Sequence, residues 1–275
     1  MTTTYTAPTR FLARPEGRIG YDVRGTGPLV VCLPGMGDLR ATYRLLAPAL
    51  ADAGYRVATL DLRGHGDSDA TFTAYDDEAA GSDALALVEE LGGGPAVLVG
   101  SSMGAGAAVW AAAERPDLVA GLVLSGPFVR EVPISAVQRV ALALALRRPW
   151  GPAAWAAYWG RLFPGRPPVD LAERRREVRA SVGRHWQAFR ATTRTSHAAA
   201  EARLGDLRMP VLVVMGDRDP DFPDPRAEAE TVATLTGGRL LVVPNAGHYP
   251  HVEYPETVTP EVLALLKAAF DGDGR

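Results

Sequence analysis

The chain has 275 residues and a mass of 29.2 kDa, a length that one large domain or two small ones would fill. Its composition, 47% hydrophobic and 22% charged, is ordinary for a soluble globular protein. The net charge of −3 argues against a nucleic-acid binder carried by bulk charge. The single cysteine, Cys32, excludes an internal disulfide bond and a cysteine-based zinc site.

The chain also lacks several sequence signals of location and of cofactor binding. No apolar run approaches the roughly 20 residues that a membrane-spanning helix needs, and the first ten residues have no apolar signal core. We therefore expect no membrane span and a cytoplasmic location. We also expect no metal and no cofactor, since neither a phosphate-binding glycine motif nor a convincing spacing of metal ligands is present.

Strand and helix signals alternate along the chain. Apolar runs predict strands at residues 18–23, 29–33, 56–60, 96–99, 118–124, 211–214 and 240–243. Helical spacing predicts helices at residues 42–53, 82–91, 103–114, 226–235 and 259–270. Repeated strand–helix units predict an α/β fold with a mostly parallel sheet between helices.

One long segment interrupts this alternation. Residues 127–200, which we call the helical insertion, carry no strand signal, and prolines separate their helical stretches. We therefore predict a core domain formed by residues 1–126 and 201–275, with the helical insertion placed on it.

The strongest motif lies between a predicted strand and a predicted helix. Residues 100–104, Gly-Ser-Ser-Met-Gly, match G-x-S-x-G with Ser102 at the centre. Small residues are needed there because the serine occupies a sharp, strained turn. The positive end of the following helix favours negative charge that develops nearby. The alternative is a small-residue turn that only packs a helix against a sheet, but the flanking elements favour a nucleophile.

A serine nucleophile needs a base, and a histidine has a suitable pKa. Of the five histidines, His185 and His197 lie in the helical insertion and His65 lies in a glycine-rich loop. His248 follows the last predicted strand in a short loop and is our candidate base. His251 is a second choice, which we expect at the pocket rim or on the surface.

The histidine in turn needs a carboxylate that fixes its tautomer. Asp217, Asp219 and Asp221 all follow the predicted strand at residues 211–214. Aspartates beside proline and glycine usually form turns or helix caps, so we expect two of the three to do so. The residues alone do not decide which aspartate is the acid.

Five segments in order resemble the α/β-hydrolase family across nearly the whole chain. They are the oxyanion loop (33–37), the D-x-R-G-x-G-x-S loop (61–68), the nucleophile elbow (100–104), the acid loop (216–219) and the histidine loop (245–248). The resemblance implies the nucleophile–acid–histidine order Ser102, Asp219, His248. It also implies a helical cap domain, inserted after the sixth strand, at the position of the helical insertion.

The resemblance further assigns the oxyanion hole to the backbone N–H groups of Met36 and Met103. This chain has Pro34-Gly35 where many family members have His-Gly. The elbow carries serine, whereas family members that open epoxides or cleave carbon–halogen bonds use an aspartate nucleophile.

The helical insertion is rich in aromatic residues and in arginine. Aromatic clusters more often form core than ligand sites, yet a small cap has little room to bury them all. We therefore expect some to line an apolar substrate pocket, with these candidates: Phe128, Trp150, Trp155, Tyr158, Trp159 and Trp186. The insertion has 13 arginines and four acidic residues, a net charge of +9, whereas the remainder carries −12. Most of these arginines are expected on solvated faces, and a sharper hypothesis is that some of them steer an anionic substrate toward the cleft.

The predicted function is a serine hydrolase that cleaves a small to medium carboxylic ester or lactone through an acyl-enzyme. Three enzymatic alternatives use the same triad: perhydrolysis or non-metal haloperoxidation, C–C bond hydrolysis and acyl transfer. A non-catalytic ligand receptor on the same fold is a further alternative. The expected partner is a small-molecule substrate, and the expected oligomeric state is a monomer or a homodimer.

Overall fold

A computed structural model describes residues 8–92, 94–131 and 136–271, and an eight-stranded sheet lies at its centre. The strands are β1 (Arg10–Arg14), β2 (Gly17–Arg24), β3 (Leu29–Leu33), β4 (Arg56–Leu60), β5 (Ala96–Ser101), β6 (Val119–Ser125), β7 (Val211–Gly216) and β8 (Arg239–Val243). Their order across the sheet is β1-β2-β4-β3-β5-β6-β7-β8. The pairs β1–β2 and β2–β4 are antiparallel, and the other pairs are parallel. The predicted, mostly parallel sheet is thus confirmed.

One strand was not predicted. β1 is an edge strand in which only Leu12 is buried, so it lacks the continuous apolar run by which the inner strands are recognised. The all-apolar strand β3 shows the contrast, since all five of its residues are buried between neighbours on both sides.

Eleven α-helices fall within the described ranges. They are α1 (Leu46–Asp52), α2 (Asp77–Leu91), α3 (Met103–Glu114), α4 (Ala136–Ala145), α5 (Gly151–Trp159), α6 (Leu171–Arg184), α7 (Trp186–Thr192), α8 (Ala198–Glu201), α9 (Pro225–Thr236), α10 (Pro250–Glu253) and α11 (Pro255–Asp271). Instead of one helix at residues 42–53, the chain forms a 3₁₀ turn (Arg40–Tyr43) and then α1. Helix α2 begins before the predicted residue 82 because the Asp76 side chain accepts a hydrogen bond from Ala79 N and caps it.

Helices cover both faces of the sheet. One face packs against apolar residues of α2, α3 and α9, and the opposite face packs against α1 and α11. Cys32 of β3 is fully buried in the second cluster, where burial raises the pKa of its thiol far above the usual range. Its neighbours on that face are apolar, in agreement with a packing role.

Helices α4 to α8 lie between the sixth and seventh strands and hold a third apolar cluster, in which Trp155, Trp159 and Trp186 are buried. Polar contacts join this region to the sheet domain: Arg44 pairs with Asp170 at 2.6 Å. No helix in the described part of the chain has the length and apolarity to cross a membrane. The division into core and cap stays a prediction.

Candidate active site

Ser102 occupies the turn between β5 and α3, in a backbone conformation that non-glycine residues rarely adopt. Its φ is 54° and its ψ is −125°. Its backbone N donates to Ser125 O at 2.9 Å, which ties the turn to the end of β6. The flanking glycines are required by close packing: a Cβ on Gly100 would lie 2.3 Å from Gly104 O, and one on Gly104 would lie 2.3 Å from Leu33 O. The turn therefore keeps Ser102 at the carboxyl edge of the sheet, with its side chain partly exposed.

His248 and Asp219 form a buried hydrogen-bonded pair at the same edge of the sheet. His248 follows β8 and Asp219 follows β7, and Nδ1 of the histidine lies 2.7 Å from Oδ2 of the aspartate. The backbone N of His248 donates to Leu162 O at 2.9 Å, so the helical insertion supports the histidine loop. An imidazole whose Nδ1–H donates to a carboxylate carries its free lone pair on Nε2, as a general base requires.

Ser102 and His248 are both packed against the segment that follows β6. Phe128 N donates to Ser102 O at 3.3 Å, and the Phe128 ring lies 6.0 Å from the His248 ring, centroid to centroid. A Cβ on Gly126 would lie 3.0 Å from the same imidazole. Among the described residues no hydrogen bond joins Ser102 Oγ to His248, as is common in substrate-free hydrolases.

Two further carboxyl groups lie near the imidazole. Asp221 Oδ2 is 3.5 Å from His248 Nδ1, and Asp38 acts on the imidazole through its charge. Burial lowers the pKa of His248, but the charges of Asp219 and Asp221 and the Asp219 hydrogen bond outweigh burial and raise it to about 9. The neighbouring carboxylates therefore stabilise the imidazolium that forms when His248 accepts a proton.

The three aspartates of the acid loop have different partners. Asp217 accepts a hydrogen bond from Asn245 N at 2.6 Å, which joins the acid loop to the histidine loop. Asp219 faces His248, while Asp221 contacts both His248 and the Tyr158 hydroxyl. The expectation that two of the three serve turns and caps stays a prediction for Asp217 and does not describe the contacts of Asp221.

The oxyanion loop brings Met36 beside the nucleophile. A Cβ on Gly35 would lie 2.8 Å from Ser102 Cβ, so the backbone before Met36 runs directly against the serine. Within residues 8–92, 94–131 and 136–271, the Met36 N–H donates to no protein acceptor. Met103 is the first residue of α3, where an N–H has no acceptor inside the helix. Both N–H groups are thus available, and their role in an oxyanion hole stays a prediction.

A histidine that the sequence analysis left without a role supports this loop. His65 Nε2 accepts a hydrogen bond from Gly37 N at 2.9 Å, and its Nδ1 lies 2.8 Å from Arg63 O. Burial lowers the pKa of His65 to about 4, so it stays neutral and can accept from the loop at ordinary pH. The D-x-R-G-x-G-x-S pattern marks its loop but does not reveal this contact.

The six aromatic pocket candidates occupy three kinds of position. Phe128 and Tyr158 contact the residues around His248. Trp155, Trp159 and Trp186 are 3–8% exposed and pack in the apolar cluster of the helical insertion. Trp150 is 54% exposed, and its indole N–H donates to Leu144 O. Whether any of them contacts a substrate stays a prediction.

His251 is not at the surface or at the pocket rim, contrary to expectation. It is 2% exposed and stacks on Tyr43, with ring centroids 5.2 Å apart. Burial lowers its pKa to about 3, and it lies beside the Ser125 hydroxyl. It therefore belongs to the packing behind the histidine loop.

One group in the described chain brings three potential metal ligands together. Donor atoms of Asp219, Asp221 and His248 lie within 4.8 Å of one another. Because Asp219 Oδ2 and His248 Nδ1 are at hydrogen-bond distance, we interpret these atoms as an acid–base pair and not as metal ligands.

Comparison with known proteins identifies the family of this chain. The sequence profile of the alpha/beta hydrolase fold family matches residues 28–255. The chain belongs to the α/β-hydrolase fold family. This membership confirms the resemblance on which the assignment of the loops rests.

Relatives within the family have varied activities. The chain is 30% identical over 270 residues to a 2-(acetamidomethylene)succinate hydrolase from Mesorhizobium japonicum, a match that covers 92% of this chain and 93% of the relative. It also resembles a thermophilic esterase from Thermogutta terrifontis that was solved with malate bound (27% identity, TM-score 0.75, covering 96% and 99% of the two chains). A hydrolase from Pseudomonas aeruginosa is similar (25% identity, TM-score 0.78, covering 94% and 98%).

Proposed function

We propose that this protein is a serine hydrolase that cleaves a small to medium carboxylic ester or lactone through an acyl-enzyme. The observation that carries the proposal is the buried Asp219–His248 hydrogen bond at the sheet edge where the strained turn presents Ser102. A positioned base beside a partly exposed serine is what nucleophilic acyl transfer requires.

The reaction follows from these positions. Ser102 Oγ attacks the carbonyl carbon as its proton passes to His248 Nε2, and Asp219 stabilises the resulting imidazolium. The N–H groups of Met36 and Met103 hold the negative oxygen of the tetrahedral intermediate, where one such donor accounts for about 3 kcal/mol. His248 then protonates the departing alcohol. Water attacks the acyl-enzyme, giving its proton to His248, and Ser102 is regenerated when the acid leaves.

A fluorophosphonate probe tests the proposal without knowledge of the substrate. The wild-type protein should be labelled at one site, and Ser102→Ala should abolish both labelling and turnover of p-nitrophenyl esters. Ser101→Ala is the matched control, because Ser101 is the neighbouring buried serine at the end of β5 and should leave labelling intact. Wild-type turnover by Ser102→Ala would refute the mechanism, and an unlabelled wild-type protein would favour a non-catalytic receptor.

A second candidate is hydrolysis of an amide in a carboxylate-bearing substrate. It is supported by the 30% identity, over nearly full length, to a relative named for such a substrate. The same triad can catalyse this reaction, because Ser102 attacks the amide carbonyl and His248 protonates the departing nitrogen. Comparing kcat/KM for a carboxylate-bearing ester and its amide isostere separates the two, because only an amidase would cleave both at similar rates.

The other activities open to this triad have discriminating assays. Bromination of monochlorodimedone with acetate and peroxide detects perhydrolysis. A β-diketone substrate detects C–C cleavage, and product analysis with an added alcohol detects acyl transfer.

A further inference from the structure

Asp221 lies at the junction of the acid loop, the histidine loop and the helical insertion. Its backbone N donates to Asp219 Oδ1 at 3.0 Å, while Asp219 Oδ2 faces His248. Its own carboxylate has one oxygen 3.5 Å from His248 Nδ1, and the other accepts the Tyr158 hydroxyl of α5. One side chain therefore contacts the imidazole and a helix of the insertion at once.

The burial of the Asp221 carboxylate strengthens its electrostatic interaction with the imidazole. The Asp221 side chain is 15% exposed and that of His248 is 1% exposed, so solvent screens their interaction weakly. A carboxylate at this distance favours the imidazolium form of the histidine. Burial raises the pKa of Asp221, while the charge of His248 and the Tyr158 hydroxyl, which donates to the ionised carboxylate, oppose that rise.

We propose that Asp221 is a positioning residue for His248, and that Tyr158 holds Asp221 in place, so that the helical insertion helps to set the protonation of the base. The proposal rests on the proposed function, because it concerns the same histidine. Asp219 fixes the tautomer of His248. Asp221 adds a second negative charge, and Tyr158 of the helical insertion holds that charge in position.

Other charged groups face the imidazole and must be considered together with Asp221. Asp219 lies on the same loop, and Asp38, which directly follows the oxyanion loop, also raises the pKa of His248 through its charge. His251 of α10 is neutral at ordinary pH, since burial lowers its pKa to about 3. On the far side, Arg161 acts through its charge on Tyr158. Of these charged groups, Asp221 is the one whose side chain contacts both the imidazole and a helix of the insertion.

The test is the pH dependence of kcat/KM with a p-nitrophenyl ester. The base must be neutral, so kcat/KM should rise with pH to a midpoint near the His248 pKa, about 9. Asp221→Asn keeps the shape and removes the charge, and the midpoint should fall by about 1 pH unit. Asp217→Asn, an exposed aspartate of the same loop that does not contact the imidazole, should leave the midpoint unchanged.

The role of Tyr158 is tested by a double-mutant cycle. Tyr158→Phe removes only the hydroxyl that holds Asp221 in place, so the carboxylate is fixed less firmly beside His248 Nδ1 and the midpoint should fall in the same direction by a smaller amount. In the double variant, Tyr158→Phe should cause no further shift of the midpoint beyond that of Asp221→Asn, because both changes act through the same carboxylate. Additive shifts would show that Tyr158 does not act through Asp221.

A measurement without turnover separates this proposal from the proposed function. The His248 Cε1–H resonance, assigned by its loss in His248→Gln, should titrate at lower pH in Asp221→Asn than in the wild-type protein. Superimposable titrations would overturn the role of Asp221 even if the enzyme is an esterase. A shifted titration in a protein that no ester or fluorophosphonate engages would leave this proposal standing and remove the proposed function.

Discussion

At the scale of single residues, the site depends on positions where no side chain fits. Gly104, two residues after Ser102, lies directly against the main chain at the end of β3. A Cβ at position 104 would lie 2.3 Å from Leu33 O and 2.6 Å from Pro34 O. Backbone at such a distance cannot rotate away as a flexible side chain can. The nucleophile is therefore positioned by the absence of side chains as much as by hydrogen bonds.

Gly104→Ala should consequently destabilise the protein by about 1–3 kcal/mol, because α3 must shift away from the end of β3. Urea denaturation measures the change. Gly205→Ala is the matched control: a Cβ at Gly205 meets nothing within 4 Å, so its free energy of unfolding should stay within about 0.5 kcal/mol of wild type. Equal stability of the two variants would contradict the close approach.

The same scale shows what a sequence can reveal. The G-x-S-x-G motif between a strand and a helix predicts Ser102, and the short loop after the last predicted strand predicts His248. The contacts of His65 with Gly37, and of Tyr158 with Asp221, join segments 28 and 63 residues apart. Nothing local in either segment encodes such a pairing, so it emerges only when the chain is folded.

At the scale of elements, α5 is the helix of the insertion that reaches the oxyanion loop. Trp155 donates its indole N–H to Gly37 O at 3.0 Å. Gly37 has a φ of +66°, and the indole ring packs directly against it. Sequence composition could not decide between core and pocket for this tryptophan. In the structure its ring packs in the insertion core while its N–H contacts the loop that carries Met36.

Trp155→Phe should keep the aromatic packing and lose this hydrogen bond. We expect a loss of about 1 kcal/mol in the free energy of unfolding. We also expect kcat to fall several-fold, because a loosened loop places the Met36 N–H less accurately.

Trp110→Phe, the same substitution on a half-buried ring of α3 that is not a pocket candidate, should leave kcat unchanged. Parallel urea denaturation and ester kinetics on the two variants make the comparison. Equal kcat values would show that α5 does not support the oxyanion loop.

At the scale of the whole molecule, charge is divided between two regions. The helical insertion carries +9 and the remainder −12. Several of the arginines have acidic partners, such as Arg174 with Asp170 and Glu177, but Arg148, Arg176 and Arg179 line an open cavity of about 490 Å³ that has no acidic residue in its lining. The described part of this surface is therefore positively charged.

If these arginines steer anionic substrates, kcat/KM for a carboxylate-bearing ester should exceed that of its neutral analogue at low salt. The difference should shrink as ionic strength shortens the Debye length to about 10 Å near 0.1 M. Arg176→Glu with Arg179→Glu should reduce the preference. Arg208→Glu with Arg226→Glu makes the same charge change outside the insertion and should reduce it less. An anion preference that is absent, or insensitive to salt, would remove the steering hypothesis.

The sole cysteine gives the molecule a built-in reporter. Cys32 lies in β3 with strands hydrogen-bonded on both sides, and none of its surface is exposed. A thiol reagent reaches it only when the central sheet opens, so the labelling rate of the native protein measures how often that occurs. The frequency of global opening can thus be followed without an engineered probe. Ligands that bind Ser102 and its neighbours can then be recognised by how far they slow that rate.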